Sequence, residues 1–207
     1  AYEFLEKPFN KDRLLNFTKR ALETYDLQNQ NKNLQNLFFD TYEIIGESKE
    51  IKGIRDMIKK ISSTDTRVLI LGPSGSGKEL IARTIHKNSL RQDFPFIVCN
   101  GALLNPETFD TELFGIKKND GTIIQGFFEK SNKGTLLIDN VSDIPLETQA
   151  KILRVLTEQK FRRVGDVKEI TTDVRVLTSS SKDLREEILA GNFREDLFQR
   201  IAVVSIS

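Results

Sequence analysis

A short apolar strand that runs directly into a glycine-rich loop and a lysine is the feature that most constrains this chain. The segment from Leu69 to Lys78 reads LILGPSGSGK, which fits the pattern G-x-x-x-x-G-K. In that pattern the backbone N–H groups of the loop surround phosphates, and the lysine reaches the outer ones. The segment therefore predicts a strand, a phosphate-binding loop and a helix whose N-terminus points at the ligand.

The residues on both sides of the loop support this interpretation. Val68 to Leu71 is an apolar run typical of a buried strand, and 79–87 has the apolar spacing of an amphipathic helix. The predicted phosphate-binding residues are Gly72, Pro73, Ser74, Gly75, Ser76, Gly77, Lys78 and Glu79. Glu79 departs from the common pattern, in which a Ser or Thr at that position ligates magnesium. A glycine-rich turn without a ligand is the alternative, which the lysine and the strand-to-helix context disfavour.

Composition places the chain among ordinary globular proteins. Its 207 residues are 38% apolar and 29% charged, which suits one sizeable domain with appendages. The sequence has no apolar run of about 18 residues and no signal-peptide pattern, so it predicts a cytoplasmic protein that is not in a membrane. The single cysteine, Cys99, excludes an internal disulfide, and His86 is predicted to pack rather than to catalyse. The net charge of +1 gives no global field for nucleic acid.

A second apolar strand ends in an acidic residue. The segment 133–140 reads KGTLLIDN, and a carboxylate at the C-terminal end of such a strand helps to hold magnesium beside a phosphate-binding loop. Asp139 is therefore the predicted Mg²⁺ ligand. An apolar strand that ends in Asp is common by itself, and the upstream loop gives this one its weight.

Strands and helices alternate along the main part of the chain. Further strands are predicted at 94–100, 173–181 and 203–206, and further helices at 51–61, 145–158 and 182–190, with a hairpin around 165–166. Another helix is predicted to begin at Asn105 and to end near Gly115. Apolar rather than alternating strands indicate a parallel sheet that helices cover on both faces. The predicted fold class is α/β, with the ligand at the C-terminal edge of the sheet.

The first part of the chain is predicted to belong to other units. Residues 1–22 hold one strand and one helix, which cannot bury their apolar faces alone, so we expect the C-terminal end of a truncated domain. Residues 23–41 predict a linker helix, whose partly heptad leucine spacing suits either a coiled coil or packing on its own domain. Residues 42–207 form the predicted main domain, which ends inside an apolar strand and is therefore also expected to be truncated.

Several motifs, in order and spacing, resemble the AAA+ domain of the sigma-54-dependent transcriptional activators. They are GPSGSGKELIARTIH, PFIVCNGALL, ELFG, KGTLLIDNVSDIPLETQAKILRVL, FRRVG, DVRVLTSSSKDL and FREDLFQRI. The resemblance runs from about Ile44 to Ser207 and implies a P-loop NTPase core that binds ATP and Mg²⁺. The family's own loop carries a glutamate after the lysine, and this chain has Glu79 at that position. Because Lys7-Pro8 resembles the end of a receiver domain, the chain is similar to response regulators of the NtrC and NtrX type, and more to the latter.

The resemblance also assigns residues to the site. Arg194 and Arg200 match arginine fingers that reach the nucleotide of a neighbouring subunit, where guanidinium groups neutralise charge on the γ-phosphate. A surface ion pair is the alternative, most of all for Arg194 beside Glu195 and Asp196. The further residues implied are Asn100, which in the family contacts the Walker B glutamate, Ser181 at the sensor position, and Ile45 and Gly46 at the nucleotide.

The chain departs from the family at three places that serve hydrolysis and its coupling. Asn140 stands where the family has the glutamate that polarises the attacking water, and an amide cannot accept that proton. The family's GAFTGA element, which touches sigma-54, is replaced within 116–126 by IKKNDGTIIQG. The sensor pair Thr-Asn becomes Ser180-Ser181, which keeps hydroxyl donors but shortens their reach. These changes predict weak or absent hydrolysis without conventional sigma-54 remodelling.

The leading hypothesis is an ATP-binding module of a two-component transcription regulator that self-associates with nucleotide between subunits. The resemblance implies two further partners, a sensor histidine kinase that acts through the missing receiver and DNA bound by a missing C-terminal helix-turn-helix. The alternative is an active ATPase that remodels RNA polymerase with sigma-54. A P-loop kinase for a small molecule is a third class, which the paired arginines and the FRRVG hairpin disfavour.

Overall fold

The computed structural model describes residues 43–207, together with the helical residues Lys19 and Leu22. Residues 44–207 form one compact unit. The predicted receiver remnant (1–22) and linker helix (23–41) lie outside the described residues, apart from those two helical positions. No helix in the described part of the chain is both long and apolar enough to cross a membrane.

Five parallel strands form the central sheet. The helices are α1 (Lys49–Ser62), α2 (Lys78–Lys87), α3 (Phe109–Phe114), α4 (Phe127–Lys130), α5 (Leu146–Glu158), α6 (Leu184–Leu189) and α7 (Glu195–Ile201), with a 3₁₀ turn at Val141–Asp143. The strands are β1 (Val68–Leu71), β2 (Phe96–Asn100), β3 (Ile116–Lys117), β4 (Ile123–Ile124), β5 (Thr135–Asp139), β6 (Lys160–Arg162), β7 (Glu169–Thr171), β8 (Arg175–Ser180) and β9 (Val204–Ile206). The sheet order is β2-β5-β8-β1-β9, while β3-β4 and β6-β7 are antiparallel hairpins. The predicted α/β class with a parallel sheet is confirmed.

Helices cover both faces of this sheet because successive side chains of each buried strand point in opposite directions. Val68 and Ile70 of β1 pack with apolar residues of α1 and α2. Leu69, between them, packs instead with residues of α3, α5 and α7. The sheet is therefore the middle layer of three, and the C-terminal ends of its strands remain accessible for a site.

A buried arginine connects α1 to the N-terminal end of β8. Arg175, at the start of β8, donates to the carbonyl oxygens of Ile61, Ser62 and Thr66 at 2.9, 3.1 and 3.3 Å. The first two carbonyls belong to the last turn of α1, where a helix leaves carbonyls unpaired and a cation is favourable. Burial lowers the pKa of Arg175, although a guanidinium stays protonated in proteins.

One helix begins later than the sequence pattern predicts. The helix expected from Asn105 begins at Phe109, because Asn105 closes a turn instead. Its Oδ1 accepts from the backbone N–H of Glu107 at 3.1 Å, and its carbonyl accepts from that of Thr108 at 2.9 Å. Short polar side chains favour such local turns over a helix. The prediction was therefore wrong about this start.

The single histidine packs in the core, as predicted. His86 of α2 is buried, its Nδ1 lies 2.9 Å from Thr135 Oγ1, and its ring centroid lies 5.1 Å from that of Phe96. Burial lowers its pKa from 6.5 to about 4. The neutral ring is thus the form that the fold accommodates.

We expect the free energy of unfolding to fall as the pH drops below about 6.5, the ordinary pKa of histidine. The unfolded chain takes up the proton first, because the pKa of His86 is lower in the folded state. Between about pH 6.5 and about pH 4, each unit by which the pH falls lowers the free energy of unfolding by up to about 1.4 kcal/mol. Urea unfolding at about pH 7 and about pH 5 measures the change. His86→Gln removes this group, so the same fall in both proteins would contradict the prediction.

Candidate functional site

The glycine-rich loop connects β1 to α2 at the C-terminal edge of the sheet. Gly75 and Gly77 have φ of 77° and 88°, a left-handed backbone that favours glycine, and Gly77 is the N-cap of α2. Lys78 is only 8% exposed, and its Nζ donates to the carbonyl oxygens of Gly72 and Pro73, both at 2.8 Å. The ammonium and the positive end of α2 therefore lie at the loop, where anions bind in loops of this pattern.

Strand β8 lies between the strand that carries the loop and the strand that carries Asp139. The backbone N–H of Gly72 donates to the carbonyl of Ser180 at 3.2 Å. Ser179 Oγ donates to Asp139 Oδ1 and accepts from the backbone N–H of Asn140 at 3.2 Å. The end of β8 thus joins the two halves of the site, the phosphate-binding loop and the acidic strand.

Asp139 and Asn140 stand together at the end of β5. Asn140 has φ 53°, in a left-handed region that asparagine adopts more readily than most residues. Its Nδ2 donates to Asn100 Oδ1 at 3.3 Å and to Asp139 Oδ2 at 3.4 Å. Asn100 is the register partner of Asp139 in the pairing of β2 with β5. The structure therefore brings these three predicted residues into one cluster.

The two predicted arginine fingers belong to the region of α7. Arg194 is the N-cap of this helix, and its guanidinium contacts both carboxylate oxygens of Asp196, at 3.0 and 2.7 Å. This contact is an ion pair of the kind expected as the alternative to a finger. Arg200 is exposed in the last turn of α7, and within residues 43–207 its side chain donates no hydrogen bond.

The other predicted residues lie at the margin of the loop or apart from it. Ser181 is exposed just past the end of β8, and it lines a cleft of about 570 Å³ together with Gly72 and Pro73. Ile45 and Gly46 lie in the segment before α1, where Ile45 is 86% exposed. The cleft therefore includes the serine predicted at the sensor position and the start of the glycine-rich loop.

Comparison with known proteins identifies the family. The family model described as the Sigma-54 interaction domain matches residues 44–207. The chain belongs to the sigma-54 interaction domain family. This confirms the resemblance that the sequence motifs indicated.

Relatives of known name agree with this assignment. The nitrogen assimilation regulatory protein NtrX of Azorhizobium caulinodans is 45% identical over 207 residues, which are 100% of this chain and 45% of that protein. The DNA-binding transcriptional regulator NtrC of Escherichia coli is 38% identical over 210 residues, with the same two coverages. The chain thus spans less than half the length of the relatives it matches.

Solved structures show the same similarity. The crystal structure of NtrX from Brucella abortus in complex with ADP superposes with a TM-score of 0.81 at 43% identity, over 100% of this chain and 46% of that one. The structure of the same protein in complex with ATP gives a TM-score of 0.80, also at 43% identity, over 44% of its chain. The α/β fold is therefore that of a sigma-54 interaction domain.

Ser179 is the residue of this sigma-54 interaction domain that sequence reasoning missed. The resemblance placed the sensor function on Ser180 and Ser181, but the Oγ of Ser180 accepts from the N–H of Lys182 at 3.1 Å and donates to its carbonyl at 2.8 Å. Side chains alternate along a strand, so only alternate hydroxyls can reach the neighbouring acid. No sequence signal singles it out, because only the register of β8 against β5, in which Ile138 pairs with Thr178, brings Ser179 beside Asp139.

A mostly buried ion pair joins the β6-β7 hairpin of this sigma-54 interaction domain to α4. Arg163 donates to the two carboxylate oxygens of Glu129 at 2.7 and 2.5 Å, and the two side chains are 12% and 8% exposed. Asp166 adds contacts with Lys117 at 3.4 Å and with Arg163 at 3.7 Å. Through Lys117 and Asp166, the segment 116–126, where the resemblance predicts the GAFTGA position, is therefore anchored to the neighbouring hairpin.

Proposed function

We propose that this chain is the ATP-binding AAA+ module of a two-component transcription regulator, and that its hydrolysis is weak. The observation that carries the proposal is Asn140, which stands beside Asp139 where the family places its catalytic glutamate, with its amide directed at Asn100. An amide cannot take the proton of an attacking water. The loss of such a base costs about 100- to 10,000-fold in rate.

Nucleotide binding is supported by the loop and by the relatives. The Nζ of Lys78 is held by two carbonyl oxygens, and phosphate oxygens would compete for it as charge-assisted acceptors. The N-terminus of α2 favours the same charge. NtrX of Brucella abortus, at 43% identity, was solved with ADP and with ATP. We propose ATP as the ligand of this chain.

The donor set also fits Mg²⁺. Magnesium is usually held by one or two carboxylates together with phosphate oxygens and waters. Asp139 offers such a carboxylate at the edge where the loop lies, whereas Glu79 is paired with Arg83 at 2.6 Å. Among the described residues there is no group of three or more His, Cys, Asp or Glu that could hold a metal alone. We propose that Asp139 holds magnesium together with the phosphates, where the ion neutralises phosphate charge.

Self-association would place nucleotide between chains. Arg200 is exposed, and Arg194 is held at the start of the same helix by Asp196. A guanidinium presented to the phosphates of a neighbour would stabilise the assembly in proportion to nucleotide binding. As a regulator of the NtrX type, the protein would act in the cytoplasm with a sensor histidine kinase and promoter DNA as further partners.

An active sigma-54-dependent ATPase is the second candidate. The match of residues 44–207 to the Sigma-54 interaction domain favours it, as does the retention of Asp139 and both arginines. Another carboxylate or a chain of waters would then replace the missing base. ATP-dependent binding of sigma-54 would support this candidate, whereas our first proposal expects no such binding, since GAFTGA is absent from 116–126.

Steady-state phosphate release at saturating ATP tests the proposal. We expect ATP to increase self-association in sedimentation experiments while turnover remains about 100-fold or more below that of a family member with Asp-Glu. Turnover comparable to such a protein would contradict weak hydrolysis. Absence of any ATP effect on association would contradict the role of nucleotide between chains.

A further inference from the structure

A buried glutamine connects the segment after Asn140 to the helix of the arginine fingers. Gln149 lies on α5 and is fully buried. Its Nε2 donates to the carbonyl oxygens of Ile144 at 2.8 Å and Asn192 at 3.0 Å, and its Oε1 accepts from the backbone N–H of Arg194 at 2.9 Å. Both amide protons are in use, so the position of this side chain is fixed by three backbone groups.

The two ends of this connection are parts of the proposed site. Ile144 directly follows the 3₁₀ turn Val141–Asp143, whose N-cap is Asn140. Arg194 is the N-cap of α7 and follows the buried Phe193. The hydrogen bond to Ile144 is buried and the other two are partly buried, so backbone groups left unpaired without Gln149 would destabilise this region. One side chain therefore links the segment after the acidic strand to the backbone of the arginine by hydrogen bonds.

We propose that Gln149 is a positioning residue that fixes Arg194 relative to the end of β5 and so presents this arginine to nucleotide bound by a neighbouring chain. The inference rests on the proposed function, in which Arg194 acts between chains. Gln149 itself would touch no nucleotide, because its amide is fully used by the backbone of its own chain. A displacement of such a group by about 1 Å can lower a reaction rate on the order of 100-fold.

The test uses two differently labelled versions of the chain. The donor carries Lys78→Ala, so that it supplies arginines without binding ATP. The acceptor carries Arg194→Ala and Arg200→Ala, so that it binds ATP without supplying arginines. Fluorescence energy transfer measures their ATP-dependent association before and after Gln149→Met, which keeps the side-chain length without its hydrogen bonds. We expect association to weaken about tenfold or more with the change in the donor, and at most about twofold with the change in the acceptor.

Thr148→Val is the matched control. Thr148 is the buried neighbour of Gln149 on α5, and its Oγ1 donates to Asp110 Oδ1 at 2.9 Å. This change removes a buried hydrogen bond that leads to α3 rather than to Arg194. In the donor it should alter association by at most about twofold. An equal loss from Gln149→Met in donor and acceptor, or the same loss from Thr148→Val, would overturn the inference, because either would indicate general destabilisation.

Hydrogen exchange decides the question separately from association. If the donor and the acceptor, both retaining Gln149, do not associate with each other when ATP is present, the proposed function fails. The link between Gln149 and Arg194 is still measurable in that case. The N–H of Arg194 donates to Gln149, so Gln149→Met should speed its exchange by about tenfold or more, and Thr148→Val should not. Unchanged exchange at Arg194 would by itself overturn the positioning role.

Discussion

Replacing Asn140 by glutamate is expected to raise steady-state ATP hydrolysis by about 100-fold or more. The change supplies a carboxylate that can accept the proton of the attacking water, next to Asp139 and Asn100. Phosphate release at saturating ATP measures the rate. The expected gain depends on the rest of the site being in place, and Ser179 already holds Asp139 from the adjacent strand.

Asn140→Gln is the matched control for this gain. Glutamine has the length of glutamate, and at φ 53° it carries the same backbone strain, about 1 kcal/mol or more relative to asparagine. It cannot act as a base, so we expect no increase in hydrolysis. An equal rise in both variants would point to a change in loop geometry rather than to the base. Equal rates in Asn140→Glu and the unmodified chain would contradict the proposed reason for weak hydrolysis.

Replacing Lys78 by alanine is expected to weaken ATP binding by about 100-fold or more, equivalent to about 2.7 kcal/mol. Its ammonium is nearly buried and is held at the loop by the carbonyls of Gly72 and Pro73, so the change removes a desolvated cation from the proposed phosphate position. Calorimetric titration with a non-hydrolysable ATP analogue measures the loss.

Lys59→Ala provides the comparison for this loss. Lys59 lies exposed on α1, so the change alters the net charge equally without touching the loop. Affinity should stay within about twofold, since exposed charges contribute little. Similar losses of affinity from both changes would mean that ATP binding depends only on the overall charge of the chain. The ATP site would then have to be placed elsewhere.

Much of the fold was predictable from the sequence, because buried parallel strands require continuous apolar runs. The runs at 68–71 and 135–139 mark their strands directly. The order of the strands was not predictable in the same way. Strand β1 pairs with β8 and β9, which lie more distant along the chain than β2, and a local pattern does not record which distant strand becomes the neighbour.

The sequence predicts a candidate site where the proposed chemistry depends on a particular residue type at a particular spacing. The glycines, Lys78 and Asp139 are of this kind. Three adjacent serines are chemically alike, and only the register of β8 against β5 selects Ser179. Gln149 reads as a polar position on an amphipathic helix, yet its partners are all backbone groups, which a side-chain pattern does not reveal. What depends on tertiary contacts therefore had to come from the structure.

Cys99, the single cysteine of the sequence, lies in β2 and can report chemically on this strand. Cys99 is fully buried next to Asn100, and burial raises its pKa to about 12. Alkylating reagents attack the thiolate, so the folded protein should resist them near neutral pH. Because β2 is an edge strand of the sheet, local detachment of this strand would expose the sulfur without global unfolding. The rate of Cys99 alkylation thus measures how often β2, and Asn100 with it, detaches from the sheet. A ligand that bridges the ends of the strands would lower this rate.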